Sequence, residues 1–105
     1  MPGTVLTVGV VACAAALTVA LAGVGSAAVF GQRLAGAADA AALAAADAAS
    51  GAVSGVPCER ASEVAVAADA TVVSCELDEL IATVTVGAAF MRIPISASAR
   101  AGPPP

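Results

Sequence analysis

The sequence predicts an α+β fold, with a long N-terminal helix followed by a small helix and a three-stranded antiparallel sheet. Three observations predict this class. An apolar run from Val5 to Phe30 contains no charged side chain, and an alanine-rich stretch without a helix breaker continues from it to Ser50. From Thr71 onward the apolar residues recur with a period of two, which is typical of strands. The chain therefore reads as one long helix that carries at most one small domain.

The apolar run is long enough to cross a lipid bilayer. About 20 apolar residues at 1.5 Å per residue span a hydrocarbon core of roughly 30 Å. Only a helix pairs all of its backbone groups within a single segment in lipid. We therefore predict a transmembrane helix over residues 1–32 and a helical extension over residues 33–50. Together they form one rod about 70 Å long.

Two other fates of the apolar run are compatible with its residue types. Ala20-Leu21-Ala22 fits the small-x-small pattern of a signal-peptide cleavage site, and Val10-Val11-Ala12-Cys13 fits a lipobox, in which Cys13 would be lipidated. Both kinds of signal normally begin with basic residues, and none precedes the run. The length and flanks favour a retained anchor.

The helical extension presents a narrow stripe of small side chains. Because alanine side chains let two helices approach closely, we predict that the stripe packs against a neighbouring helix, with Asp39 and Asp47 toward water. The predicted helix-packing positions are Ala38, Ala41 and Ala45, and the same stripe includes Leu34 and Ala48. Residues 51–57 contain two glycines and a proline, which predict a helix stop and a short linker.

Residues 58–100 are predicted to form the small domain, and residues 101–105 a flexible tail. Its helix carries an apolar stripe of Cys58, Ala61, Ala65 and Ala68. In the first strand we expect Val73, Cys75 and Leu77 to share one face, before a tight turn at Asp78-Glu79. The second strand alternates from Leu80 to Gly87. The third contains Pro94, whose missing N–H group places it at an edge of the sheet.

The two cysteines outside the apolar run form the most informative pair. Cys58 lies on the apolar stripe of its helix, and Cys75 lies on the apolar face of its strand. If the helix covers that face, both sulfurs point into one layer, and a disulfide closing this loop is worth about 3 kcal/mol. Two buried free thiols are the alternative. We predict the disulfide, because paired cysteines in an oxidising compartment normally form one.

No residue pattern indicates an enzyme. The chain has no histidine, so it offers neither a nucleophile–base pair nor enough ligands for zinc. The carboxylates Glu76, Asp78 and Glu79 are typical of a solvated turn. We predict no catalytic, cofactor-binding or metal-binding residue, and no small-molecule substrate. The net charge of −4 argues against nucleic acid or an anionic membrane surface as a partner.

Six segments carry a resemblance to a known family. They are the uncharged N-terminal run, Gln32-Arg33, the block from Ala37 to Ala46, the Cys58 helix, Val72-Val73-Ser74-Cys75 and Thr83-Val84-Thr85-Val86. These segments resemble TadE/TadG-like proteins of tight-adherence (Flp) pilus loci, in particular small actinobacterial TadE-like membrane proteins encoded beside secretion ATPases. The basic residue expected before the apolar run in that family is missing here. The resemblance implies a pilin-like minor subunit or assembly factor, anchored in the membrane, that packs against other pilus or secretion subunits.

Two signals disagree on the orientation of this single-pass helix. Arg33 weakly favours the cytoplasm for the C-terminal side, by the positive-inside rule. The cysteine pair and the resemblance favour an extracytoplasmic domain, which is the orientation that we predict. The alternatives are a small binding domain, secreted after cleavage of a signal peptide or lipidated, and a single-pass regulator of a membrane enzyme.

Overall fold

The computed structural model describes residues 1–104 and confirms the predicted α+β class. The described part is 75 Å long and 28 Å across at its second-longest dimension. The long axis matches the length of a 49-residue helix at 1.5 Å per residue. The elements in chain order are α1 (Pro2–Ser50), α2 (Pro57–Ala67), β1 (Thr71–Asp78), β2 (Ile81–Phe90) and β3 (Ile93–Ala101).

The long helix α1 ends where the sequence predicts a helix stop. Gly51 adopts the left-handed conformation with φ +82°, which glycine enters without steric penalty. The N–H of Ala52 donates to the carbonyl of Asp47 at 2.9 Å, and the N–H of Gly51 donates to that of Ala48 at 3.2 Å. This is the Schellman arrangement, which satisfies carbonyls at the end of a helix. The chain then turns back toward α1 through residues 51–56.

The three strands form one antiparallel sheet in the order β1-β2-β3, so β3 lies at an edge, as Pro94 predicts. β1 and β2 are joined by a turn at Glu79-Leu80, one residue later than expected, because Asp78 still pairs with Ile81. β2 and β3 are joined by Met91 and Arg92, which both have positive φ, at +50° and +66°. Positive φ at both central residues is the signature of a type I′ hairpin turn.

Two helices cover one face of the sheet. α1 contacts β2 and β3, while α2 lies beside α1 and contacts β1. The C-terminal half of α1 therefore covers most of this face, and α2 covers the part beside β1. Residues 33–50 thus belong to the core of the small domain. The largest fully buried side chains of the described residues are only valines, Val84 and Val86.

The first strand departs from strict alternation. Val72 pairs with Val86 and Ser74 pairs with Thr85, so Val73 is an extra residue that forms a β-bulge. Two residues of a bulge oppose one on the partner strand, which reverses the alternation of faces at that point. Val72 and Cys75 pack on the core, whereas Val73 is 66% exposed. The expectation that Val73 shares the inner face with Cys75 was wrong.

The second helix ends one residue before the end of its predicted apolar stripe. Ala61 and Ala65 are fully buried, as predicted, but Ala68 is exposed because α2 ends at Ala67. Asp69 follows in the left-handed conformation, with φ +59°. The chain there turns sharply and buries Ala70 instead.

The structure joins Cys58 and Cys75 in a disulfide, as predicted, with a Cα–Cα distance of 5.9 Å. The bond connects the first turn of α2 to the middle of β1. Since the core contains mainly alanine and valine, this crosslink replaces part of the stabilisation that larger buried side chains would supply.

Candidate membrane anchor

The N-terminal half of α1 makes no contact with the core of the domain. Residues 1–29 are all exposed, among them large apolar side chains such as Leu6, Leu17 and Val24 at 64–70% exposure. The most apolar window of this helix is entirely unburied and is long and apolar enough to cross a membrane. A contiguous apolar surface of this size needs lipid or protein to cover it. The helix is compatible with a single-pass membrane anchor.

The hydroxyl groups within the apolar run are already satisfied. Each of Thr7, Thr18 and Ser26 donates to the carbonyl four residues earlier, at 2.8, 2.8 and 2.9 Å. These are all the hydroxyl side chains between Val5 and Phe30. An unpaired hydroxyl is costly in hydrocarbon, whereas one bonded to its own helix is tolerated. The surface of the run is therefore suited to lipid along its whole length.

The structure places the predicted helix-packing residues inside the chain. Ala38, Ala41 and Ala45 are each 0% exposed and lie in the core formed with α2 and the sheet. The stripe is wider than expected, because Ala37, Ala42 and Ala46 are buried as well. The chain's own α2 and sheet therefore occupy the stripe that sequence reasoning assigned to a neighbouring protein's helix. The small residues of the apolar run up to Ala28, by contrast, are all exposed.

The β2–β3 hairpin reaches the point at which α1 leaves the apolar run. The rings of Phe30 and Phe90 pack together with their centroids 5.0 Å apart. An open groove between α1 and the end of β2 is lined by Phe90 and by Gly25, Ser26, Val29, Phe30 and Arg33. Sequence reasoning missed this contact. The available signal was that the only two aromatic residues of the chain stand at the ends of predicted elements.

The two hairpin turns lie at opposite ends of the sheet and differ in charge. Asp78, the last residue of β1, and Glu79, in the β1–β2 turn, are exposed as predicted for solvated carboxylates. The β2–β3 turn contains Arg92 and lies near the middle of α1, where Arg33 follows the apolar run. Within residues 1–104 the single ion pair joins Arg60 to Glu63, so neither Arg33 nor Arg92 has a carboxylate partner there. The side of the domain nearest the apolar run thus presents two free guanidinium groups.

The described residues contain no group of three or more histidine, cysteine, aspartate or glutamate side chains that would hold a metal ion. Cys13 is a free, exposed thiol within the apolar run. No protein family, curated protein sequence or solved structure that was compared matches this chain. Functional reasoning therefore depends on the geometry of the anchor and of the domain attached to it.

Proposed function

We propose that the protein is a membrane-anchored, pilin-like minor subunit or assembly factor of a tight-adherence pilus or secretion system. The observation that carries the proposal is the division of α1 into two halves. The C-terminal half is buried under α2 and the sheet of the same chain, while the apolar N-terminal half is fully exposed. The domain is thus complete without the N-terminal half, which is left for lipid or for other helices.

Such a helix suits a subunit that moves between two environments. Lipid covers its apolar surface before assembly, and apolar helices of other subunits cover it afterwards. Gly23, Ala27 and Gly31 recur every four residues on this half, which allows close approach of a second helix. Residues 23–29 are exposed, although Phe90 of the domain lines a groove with Gly25 and Ser26 beside this stretch.

We place the domain on the extracytoplasmic side. The disulfide between Cys58 and Cys75 supports this orientation, because structural disulfides persist in oxidising compartments. Arg33 opposes it under the positive-inside rule, but a single arginine is a weak determinant of topology. The guanidinium group of Arg33 could instead bind a lipid phosphate.

Site-specific photocrosslinking in native membranes tests the proposal, because Cys13 is the only free thiol of the described chain and lies in the middle of the exposed half. The native Cys13, and single cysteines at positions 10, 11 and 17 of a Cys13→Ser background, are labelled in turn with benzophenone maleimide, which crosslinks through C–H bonds and needs no thiol on the partner. They are compared with Leu43→Cys in the same background, an exposed helical position in the domain. We expect adducts with co-encoded pilus subunits or with a second copy at one face of the apolar run, and none at position 43.

Four outcomes would overturn this proposal. A protein that stays monomeric at every position in the apolar run is an anchored domain without helix partners. An intact mass that corresponds to a mature protein beginning near Gly23 would indicate instead a secreted small binding domain. A lipid on Cys13 would indicate a lipidated one. Adducts with a single membrane enzyme would favour the single-pass regulator.

A further inference from the structure

We propose that the tip of the β2–β3 hairpin, Phe90–Ile93, rests in the headgroup region of the bilayer and binds anionic lipid. The apolar side chains of the tip enter the boundary between headgroups and acyl chains, and Arg92 and Arg33 bind lipid phosphates. The inference depends on the membrane anchor of the proposed function and extends it by assigning a lipid-binding surface to the folded domain.

The depth of the tip follows from its contact with α1. A bilayer with its headgroups is about 40–45 Å thick, which corresponds to roughly 27–30 helical residues. The uncharged run of α1 is about this long and ends at Phe30, before Arg33, so α1 reaches the headgroup layer near Phe30. Phe90 packs on Phe30 and lines a groove with Gly25 and Ser26 of the same helix. The hairpin tip is thereby held at the level of the headgroups.

The composition of the tip fits that environment. Met91 is 80% exposed and Ile93 is 62% exposed, although each is among the larger apolar side chains of the domain. Ile93 pairs directly with Phe90, so both lie on the sheet face that looks toward α1. Apolar side chains next to arginine are typical of surfaces that lie in the interface, where arginine extends its head toward phosphate.

The charges nearest the hairpin tip are arginines. Arg33 and Arg92 stand at the membrane end without an ion-pair partner among residues 1–104. Asp78 and Glu79 lie at the far end of the sheet, where Arg100 pairs with Thr83, and Asp69 lies toward the membrane end but beside β1, the strand farthest from β3. Although the net charge of the chain is −4, an anionic membrane surface therefore attracts the β2–β3 hairpin through the arginines that are nearest to it. Arginine is also the side chain best shaped to bind a phosphate through two parallel hydrogen bonds.

The backbone of the turn points to the same role. Met91 and Arg92 both adopt positive φ, a conformation that Asn-Gly adopts far more easily. Met91 and Arg92 are poorly suited to this turn, and a contact of their side chains outside the chain would explain why they occupy it. The headgroup layer also tolerates a turn, whose free backbone groups would be costly deeper in the hydrocarbon.

Depth-dependent quenching on the full-length protein tests the inference. An environment-sensitive fluorophore is attached to Met91→Cys in a Cys13→Ser background, and the protein is inserted into vesicles of phosphatidylcholine and phosphatidylglycerol that contain brominated lipid. The matched control is Glu79→Cys, which labels the other hairpin turn, also exposed and also at positive φ. We expect strong quenching at position 91 and none at position 79. Flotation of the vesicles reports insertion of α1 independently.

Two further variants separate lipid binding from folding. Arg92→Gln should lower the ratio of protein with the hairpin tip on lipid to protein with the tip free in water. We expect a decrease of about fivefold in anionic vesicles, and a much smaller one in pure phosphatidylcholine. Replacing Met91-Arg92 by Asn-Gly should raise the thermal stability of the domain while it abolishes lipid contact, measured by labelling Ile93→Cys with and without the exchange. If the turn were merely structural, the exchange would not raise the thermal stability and at the same time abolish the lipid contact.

The outcomes distinguish this inference from the proposed anchor. Floating protein with equal, weak quenching at positions 91 and 79 overturns the lipid contact alone. A blue-shifted label at position 91 that brominated lipid does not quench, and that disappears on dilution of the protein in the bilayer, would assign the tip to a second copy. Protein that does not float overturns both the anchor and the lipid contact.

Discussion

The ring of Phe30 on α1 packs against the ring of Phe90 on β2, with the two centroids 5.0 Å apart and the ring planes inclined by 39°. These are the only aromatic residues of the chain. The pair joins the last residue of the apolar run to the last residue of the central strand. It therefore determines how close the folded domain lies to the end of the apolar run, and it is the first contact to test.

Removal of either ring should weaken the contact between the β2–β3 hairpin and the end of the apolar run. Aromatic pairs in this geometry contribute about 0.5–1.5 kcal/mol beyond the area that they bury. In a double-mutant cycle of Phe30→Ala and Phe90→Ala, we expect a coupling energy of this size in denaturant unfolding, measured in detergent. Met91→Ala, at an exposed neighbour, serves as the control and should change the unfolding free energy little. Strictly additive effects of the two phenylalanine substitutions would contradict the pairing.

Enlargement of a buried alanine on α1 should destabilise the domain itself. Ala41 of α1 is fully buried in the core, whereas Ala40 on the same helix is exposed. Overpacking typically costs about 1–3 kcal/mol, so Ala41→Leu should lower the unfolding free energy by that amount. Ala40→Leu should leave it almost unchanged. If both variants unfold alike, the stripe does not form the core described above.

Reduction of the disulfide should lower the melting temperature substantially. The chain-entropy model assigns about 3 kcal/mol to a loop of this size, and 1 kcal/mol shifts the midpoint by about 4–8 °C in a domain of 60–100 residues. We expect a fall of roughly 10–20 °C on addition of reductant, and the same fall in a Cys13→Ser background. Alkylation of unreduced, denatured protein should modify Cys13 alone. Modification of Cys58 and Cys75 under those conditions would exclude the bond.

A charge in the apolar run should interfere with membrane insertion. Leu17 and Leu43 lie on the same helix and are similarly exposed, at 64% and 57%, but only Leu17 lies within the run. Arginine at the centre of a membrane helix costs about 2.5–3.5 kcal/mol on insertion scales. Leu17→Arg should therefore release a fraction of the protein on carbonate washing, while Leu43→Arg should stay in the membrane pellet. Equal retention of both variants would mean that α1 does not lie in lipid.

Local patterns in the sequence were sufficient for the elements and for the disulfide. The uncharged apolar run and the alanine-rich extension predict a single rod from about Thr4 to Ser50, and α1 spans Pro2–Ser50. Gly51 predicts its end, because glycine alone enters the left-handed region freely. Pro94 places β3 at an edge, and the shared apolar layer pairs Cys58 with Cys75. Each of these inferences depends on neighbours in the chain or on a single stereochemical constraint.

Only the tertiary structure decided which surfaces meet. An alanine stripe does not specify its partner, since a methyl group packs equally well against a helix of another protein or against this chain's own α2 and sheet. The bulge at Val73 adds one residue to β1 and so reverses the faces that a period of two predicts. The contact of Phe90 with Phe30 depends on the register of all three strands over α1, which no local pattern encodes. Sequence periodicity thus determined the rod, the strands and the crosslink, whereas long-range packing decided that half of the rod forms the core and that the β2–β3 hairpin lies where the apolar run ends.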